Sequence, residues 1–136
     1  MIAAGAKKFH GERGQTAVEF ALVLPTLVVL LLAIIQVGIA FNNYVTLTDA
    51  ARAGARKAIV VRVGGATTDS AKQAVRDAAG DLDQSTLGVD VTDPTWNLAG
   101  SQVTVTATYP YEINIPLLGL SVMSGTMTAT AKERLE

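Results

Sequence analysis

From Phe20 to Phe41 the chain carries no charge, and only Pro25, Thr26, Gln36 and Gly38 interrupt an otherwise apolar run. The run is roughly 22 residues long, enough for a helix to cross a bilayer. A cleaved secretion signal has a shorter apolar core, about 7–15 residues, followed by small residues at the cut. Here the run is longer, and no A-x-A follows it at the right distance. The helical period continues past the membrane edge: Phe41, Tyr44, Val45, Leu47 and Thr48 recur at helical spacing. Ala50, Ala51, Gly54, Ala55 and Ala58 then form a stripe of small residues, with Arg52, Arg56 and Lys57 off it. The pattern predicts one helix from about Thr16 to Val61, ~70 Å long at 1.5 Å per residue, whose second half projects from the membrane. Small side chains at Ala50, Gly54 and Ala58 admit a close backbone neighbour. That neighbour is the chain's own sheet on one face, and sister subunits are compatible on another.

Gly64-Gly65 ends this helix, or ends a short extended run from Ile59 to Val63. Thr67, Thr68, Asp69 and Ser70 offer N-caps, and Ser70-x-x-Gln73 has the form of a capping box. Ala71, Ala74, Val75, Ala78 and Leu82 give a narrow apolar face to a second, short helix that stops near Gly80 or Asp83. After that the period becomes two. Leu87, Val89 and Val91 alternate with Gly88, Asp90 and Thr92, and Asp93-Pro94 marks a turn. Trp96 starts a short strand or fills a loop. Val103, Val105, Ala107 and Tyr109 alternate with Gln102, Thr104, Thr106 and Thr108, the clearest strand in the chain. Pro110 weakens the next piece, Tyr111 to Ile115, which Pro116 ends. Met127, Ala129 and Ala131 alternate with Thr126, Thr128 and Thr130 in a last strand. Threonine-rich outer faces suit antiparallel sheets with one wet side. The fold class is α+β: a long N-terminal transmembrane helix and a short second helix packed on a three- or four-stranded, mostly antiparallel sheet.

Composition sharpens this picture. The chain has 136 residues and a formal net charge of −1. Setting aside a leader and the apolar run leaves ~95 residues, enough for one small core. The segment before the run is short and basic, with Lys7, Lys8, Arg13 and Glu12, and is expected to be disordered and removed. Its removal after Gly14 would take the net charge to −3. Such a domain has no electrostatic attraction for nucleic acid. Three domains follow: a basic leader at 1–14, a long helix at 15–62 with its membrane part at about 20–41, and an extracytoplasmic α+β domain at 63–136. Cations flank both ends of the span, with Arg52, Arg56 and Lys57 beyond it, so charge alone leaves the orientation nearly balanced. The leader's cations lie closer to the apolar run and favour a cytoplasmic N-terminus.

One carboxylate stands inside the apolar sequence: Glu19, flanked by Ala17, Val18, Phe20 and Ala21. A charge at the centre of a membrane helix costs on the order of 2.5–3.5 kcal/mol, and less near its edge. A cationic partner would remove that cost. A cut after Gly14 would create an α-amino group on Gln15. It lies too far along the same helix to pair easily with Glu19, but a neighbouring chain could supply it.

Gly14, Glu19 and Phe20 match the processing signal of type IV pilin-like proteins, in which a prepilin peptidase cuts after the glycine. Gln15 departs from the Phe or Met that usually begins a mature common pilin, and is closer to the tight-adherence (Tad, Flp) class. Arg13-Gly14-Gln15-Thr16-Ala17-Val18-Glu19-Phe20-Ala21-Leu22-Val23-Leu24-Pro25, with Ala50-Ala51-Arg52-Ala53-Gly54-Ala55-Arg56 downstream, resembles the TadE-like family of minor pseudopilins. The likeness is dense over residues 13–58 and thin beyond. The resemblance implies a structural assembly protein of a tight-adherence type IV pilus, serving cell adhesion. It implies a processing site at Gly14, Gln15, Glu19 and Phe20, and assembly contacts at Glu19, Ala50, Gly54 and Ala58. The implied partners are the membrane, a prepilin peptidase and other pilin or pseudopilin subunits. The implied location is the bacterial inner membrane, single-pass, with the N-terminus in the cytoplasm.

Candidate chemistry points away from an enzyme. There is no cysteine, and the sole histidine, His10, lies in the leader, so a cut chain would have neither thiolate nor imidazole. Composition leaves Ser-Lys chemistry open, but no nucleophile elbow is present. Asp81-x-Asp83-x-Ser85 is partly similar to a calcium loop, but the glycine and glutamate such a loop needs are replaced by Thr86 and Thr92. Gly64-Gly65 lacks the lysine of a phosphate loop. No metal, cofactor or small-molecule substrate is expected. Trp96, Tyr109 and Tyr111 suit packing better than a carbohydrate or peptide platform. Pro116-Leu117-Leu118-Gly119-Leu120-Ser121-Val122 is apolar for a loop, and suits packing beneath the sheet or docking to a partner or membrane surface. The alternative to a pilin is a single-span, membrane-anchored extracytoplasmic binding or sensing module.

Overall fold

A computed structural model describes residues 11–62, 68–92, 102–115 and 119–134. The first helix, α1, runs Gly11–Arg62, 52 residues, or about 78 Å at 1.5 Å per residue. It starts ahead of the expected Gln15 or Thr16. Gly14 does not stop it, because a glycine inside a helix costs only about 1 kcal/mol against alanine. Pro25 also lies within it. Ile59 to Arg62 stay helical, so the extended run considered for Ile59 to Val63 does not form there. The Gly64-Gly65 stop lies outside the described residues.

α1 has two unlike halves. Up to Val45 most of its large apolar side chains are bare, with Leu22 at 74% and Ile34 at 70% exposure. From Leu47 onward one face is covered: Leu47, Ala50 and Ala55 are at 0%, Ala51 at 1%. The cover is a second helix, α2 (Thr68–Ala78), and the sheet. α2 buries Ala71 and Val75, and the buried face continues through Ala79 and Leu82 just past its end. Ala78, expected on that face, is exposed. Because α2 begins at Thr68, Ser70 lies inside its first turn and the expected capping box does not form; Gln73 Nε2 instead donates to Asp77 Oδ1 at 2.8 Å. The C-terminal end is closed by Gln84, whose Nε2 donates to the Ala79 carbonyl at 2.9 Å, satisfying one of the acceptors that a helix end leaves open.

The sheet has three antiparallel strands in the order β1 (Gly88–Thr92), β2 (Gln102–Ile115) and β3 (Leu120–Arg134). Val105 stands opposite Val91 on one side and Ala131 on the other; Ala107 stands opposite Val89 and Ala129. These residues make the face turned to the helices, with Val103 and Val105 nearly inaccessible. The opposite face is lined by threonines, among them the pairs Thr106/Thr130 and Thr108/Thr128. The two expected strand pieces around Pro110 form one continuous strand. β1 pairs only with Thr104 to Thr108. Among the described residues β2 has no partner on that side beyond Thr108, and such an edge is a position where the ladder tolerates a proline. β3 begins at Leu120, several residues before the expected start near Thr126. Trp96 and the residues from Pro116 to Leu118 lie outside the described residues.

The core is built mostly of alanine, with Leu47, Val75, Val103 and Val105 as its largest fully buried side chains. Small side chains bring the layers close, and Gly54 is the tightest point. A Cβ placed on it would lie 2.3 Å from Val75 Cγ2 and 3.2 Å from the Ala71 carbonyl oxygen. The helices therefore cross where α1 has no side chain. Between α2 and β1, Asp83 closes a turn: Ser85 donates to Asp83 Oδ1 through Oγ at 2.7 Å and through its backbone N at 2.9 Å.

Two predictions follow from these contacts. Gly54→Ala should destabilise the full chain in detergent by about 1–2 kcal/mol, since overpacking outweighs the roughly 1 kcal/mol gain in helix propensity. In a Val75→Ala background the same change should be neutral or stabilising, because the colliding methyl is gone. Thermal melts of the four proteins check this, and a stabilising Gly54→Ala in the native background contradicts the packing argument. The second prediction concerns Asp83, whose pKa is held below its ordinary value by the Ser85 hydroxyl first and the Ser85 backbone N–H second. A lowered folded-state pKa means that the turn's contribution is in place above the ordinary aspartate pKa and is lost as pH falls through the folded one. Ser85→Ala should move Asp83 upward in a carboxyl NMR titration, and an unmoved titration refutes the assignment.

Candidate functional site

The residues singled out in the sequence fall at two places on α1, far apart along it. Near the N-terminal end, Gly14, Gln15, Glu19 and Phe20 lie on one unbroken stretch of helix, all exposed. Among the described residues, no atom apart from the neighbouring residues and the helix's own backbone lies within 4 Å of where a Gly14 Cβ would stand. Gln15 and Glu19 are one turn apart and face each other: Gln15 Nε2 donates to Glu19 Oε1 at 3.3 Å. This is a long, exposed contact between a neutral amide and a carboxylate. It occupies one acceptor site and supplies no compensating charge. Glu19 is the single charged residue between Arg13 and Asp49. The bare apolar surface continues past it, with Phe20 at 60%, Leu24 at 43% and Leu27 at 51% exposure.

This surface cannot be left in water at no cost. Fully burying a leucine, valine or phenylalanine side chain is worth about 1.5–3 kcal/mol each, and more than a dozen large apolar side chains of α1 are open between Val18 and Val60. Among the described residues one helix is long and apolar enough to cross a membrane, a stretch within Gly14–Val60 whose most apolar window is unburied. The arrangement is that of a single-pass membrane protein. A membrane or other helices are the environments that would cover it.

The second place is the stripe Ala50, Gly54 and Ala58. Here the structure decides between the two faces the sequence left open. Ala50 is at 0% and Ala58 at 3% exposure, and Gly54 faces Val75, Ala71 and Val105. The stripe is filled by the chain's own second helix and sheet, as expected for one face of α1. On the far side of α1, Arg52 and Arg56 are exposed, and Lys57 is exposed beside α2, bordering a groove with Ser70 and Gln73. Arg52 reaches Asp49 at 3.3 Å, with both side chains about two-thirds exposed, a surface pair of little energetic weight.

Two other candidates have bland roles. Asp83 Oδ1 accepts twice from Ser85, and no group of acidic or histidine side chains suited to a metal occurs among the described residues. Tyr109 and Tyr111 are half-buried. Tyr111 lies across Gly125, where a Cβ would come within 2.9 Å of its ring, and the Tyr109 hydroxyl receives a long hydrogen bond of 3.4 Å from the Asp83 backbone N–H. A shallow cleft opens between Asp83, Thr86, Tyr111, Glu112 and Ser124.

A contact that sequence reading missed joins the apolar helix to the sheet. Gln36 Nε2 donates to the Asn114 carbonyl, so the lower end of β2 lies beside the upper part of the apolar run. Gln36 was visible only as an interruption in that run. Its partner is 78 residues away in sequence, and no local pattern marks such a pair.

No curated protein and no solved structure matches the chain. A family model does. Residues 14–56 match the family described as TadE-like protein, so the family resembled by Arg13 to Pro25 and Ala50 to Arg56 is the family that the match shows, over the apolar and small-residue parts of α1.

Proposed function

We propose that this chain is a minor pseudopilin, a structural assembly protein of a tight-adherence type IV pilus, and not an enzyme. In this reading it enters the bacterial inner membrane as a precursor with its N-terminus in the cytoplasm and its sheet outside. A prepilin peptidase cuts after Gly14. The exposed half of α1 then packs among the helices of other pilin and pseudopilin subunits. Glu19 sets the axial register by meeting the α-amine of a neighbouring chain.

The observation that carries the reading is Glu19 itself. It is a lone carboxylate in a bare apolar helix, inside the segment that matches the TadE-like family, with a neutral amide as its intrachain contact. A charge so placed is costly unless a cation from elsewhere meets it. The open space beside Gly14 supports the processing step, since among the described residues no packed element covers it. The alternative, an anchored binding or sensing module, draws on the cleft beside Tyr111 and Glu112. That reading gives Glu19 no task.

Co-expression with a prepilin peptidase is expected to shorten the chain by the residues before Gln15, as read by intact mass. Replacing Gly14 by a bulkier residue is expected to block the cut. A chain that keeps its full length beside an active cognate peptidase contradicts the pilin reading. Glu19→Gln retains size and hydrogen bonding but removes the charge. It is expected to leave insertion and cleavage intact and to abolish crosslinking to the major pilin when it is the sole copy in the cell. Normal pili in that strain would return the lead to the anchored module.

A further inference from the structure

The contact between Gln36 and Asn114 places a polar level on the apolar helix. Asn114 pairs with Ser121 across the β2–β3 hairpin, and Ile115 pairs with Leu120 one step further on. At the Asn114 level Ser121 Oγ lies 2.7 Å from Asn114 Oδ1 and 2.8 Å from Glu112 Oε1, and donates its one hydrogen to either acceptor. Glu112 pairs with Ser124. About two residues of strand, or roughly 6–7 Å, separate it from Asn114. That distance equals about four residues of helix, and Glu112 accordingly borders the same groove as Ile39 and Ala40. Asn114/Ser121 is the last polar pair of the hairpin before Ile115/Leu120, and Gln36, the polar position between Ile35 and Val37 in the apolar run, meets it at the same height.

We propose that the β2–β3 hairpin acts as a depth stop on the membrane surface, with Gln36, Asn114 and Ser121 at the outer boundary of the hydrocarbon, so that the bilayer core ends at Ile35 and not at Phe41. The proposal rests on the membrane-spanning reading of α1 and deepens it. A core reaching Phe41 would draw the Asn114–Ser121 pair and the exposed Glu112 carboxylate into hydrocarbon, where polar and ionisable groups are expensive. Gln36 Oε1 is buried and has no donor among the described residues, a condition tolerable beside headgroups and costly within the core. With the boundary at Ile35, a hydrocarbon core of about 30 Å takes up roughly 20 helical residues and reaches down to about Thr16. Glu19 then lies inside the inner edge of the core instead of at the water boundary. Phe41 and Tyr44, both exposed, fall above the hydrocarbon, and aromatic residues favour that interfacial zone.

The chain contains no cysteine, so single cysteines report depth cleanly. Full-length variants Leu27→Cys, Leu31→Cys, Val37→Cys and Ile39→Cys, all at exposed positions, are placed in phosphatidylcholine–phosphatidylglycerol vesicles. Each is treated with a membrane-impermeant maleimide, and Thr128→Cys on the exposed sheet face measures the outward-facing fraction. Val37→Cys and Ile39→Cys are expected to label about tenfold faster than Leu27→Cys and Leu31→Cys, because only the latter pair lies in hydrocarbon. Adding Gln36→Leu is expected to slow Ile39→Cys several-fold as the helix slides inward. Protection of Val37→Cys and Ile39→Cys equal to that of Leu31→Cys overturns the proposal and leaves the span ending at Phe41. Unchanged Ile39→Cys labelling beside Gln36→Leu overturns the role of the Gln36 contact. Rapid labelling at Leu27→Cys and Leu31→Cys as well would instead remove the membrane-spanning reading on which the proposal stands.

Discussion

The close crossing at Gly54 is the contact on which the rest of the domain depends. α1 is too long and too exposed to be held by its own propensity, and α2 is a short helix of 11 residues, which is marginal on its own. They become one unit because α1 presents no side chain where Val75 arrives. Once Val75 is seated, Ala71, Ala79 and Leu82 fall against the same layer, and Val105 of β2 closes it from the sheet side. The alanine-rich core extends this logic. Each alanine buries little area, so stability comes from many close contacts between backbones rather than from a few large side chains. A small domain built in this way tolerates added volume poorly.

That arrangement also divides α1 by task. The half beyond Leu47 is one wall of a folded domain. The half before it has no intrachain cover sufficient to bury its leucines and isoleucines, and in a membrane it needs none. Pro25 and Gly38 sit in the bare half, where neighbouring helices or lipid accommodate them. The one departure from this division is the hairpin end of β2, which returns along α1 as far as Gln36. The sheet domain is thus joined to the apolar half by a polar contact.

The functional reading draws on the same division. A domain that uses its small-residue stripe internally has the apolar half of α1 left uncovered, and Glu19 is the one charged group between Arg13 and Asp49. A carboxylate there is tolerated or used according to whether a cation meets it. In the proposed function this puts the assembly contact at the apolar end of α1, while the threonine-rich face of the sheet points away from the helices.

Much of this was legible in the residues. The long helix, the short helix and the strands at Val89, Val105 and Ala129 each show a local period, 3.6 or two, that the physics of one buried face imposes. Glu19 stood out because one charge in an apolar run has no local justification. Other features had no local mark. Whether Ala50, Gly54 and Ala58 face α2 or a sister subunit depends on which neighbour arrives, and a stripe of small residues is equally suited to both. Pro110 looked like a break because the period cannot say that β1 is too short to need a ladder partner there. Sequence by itself determined the elements and the one out-of-place charge, since both follow from near neighbours along the chain. Tertiary structure alone decided the occupant of the Gly54 gap and the height of Gln36 against Asn114, since each joins residues that only packing brings together.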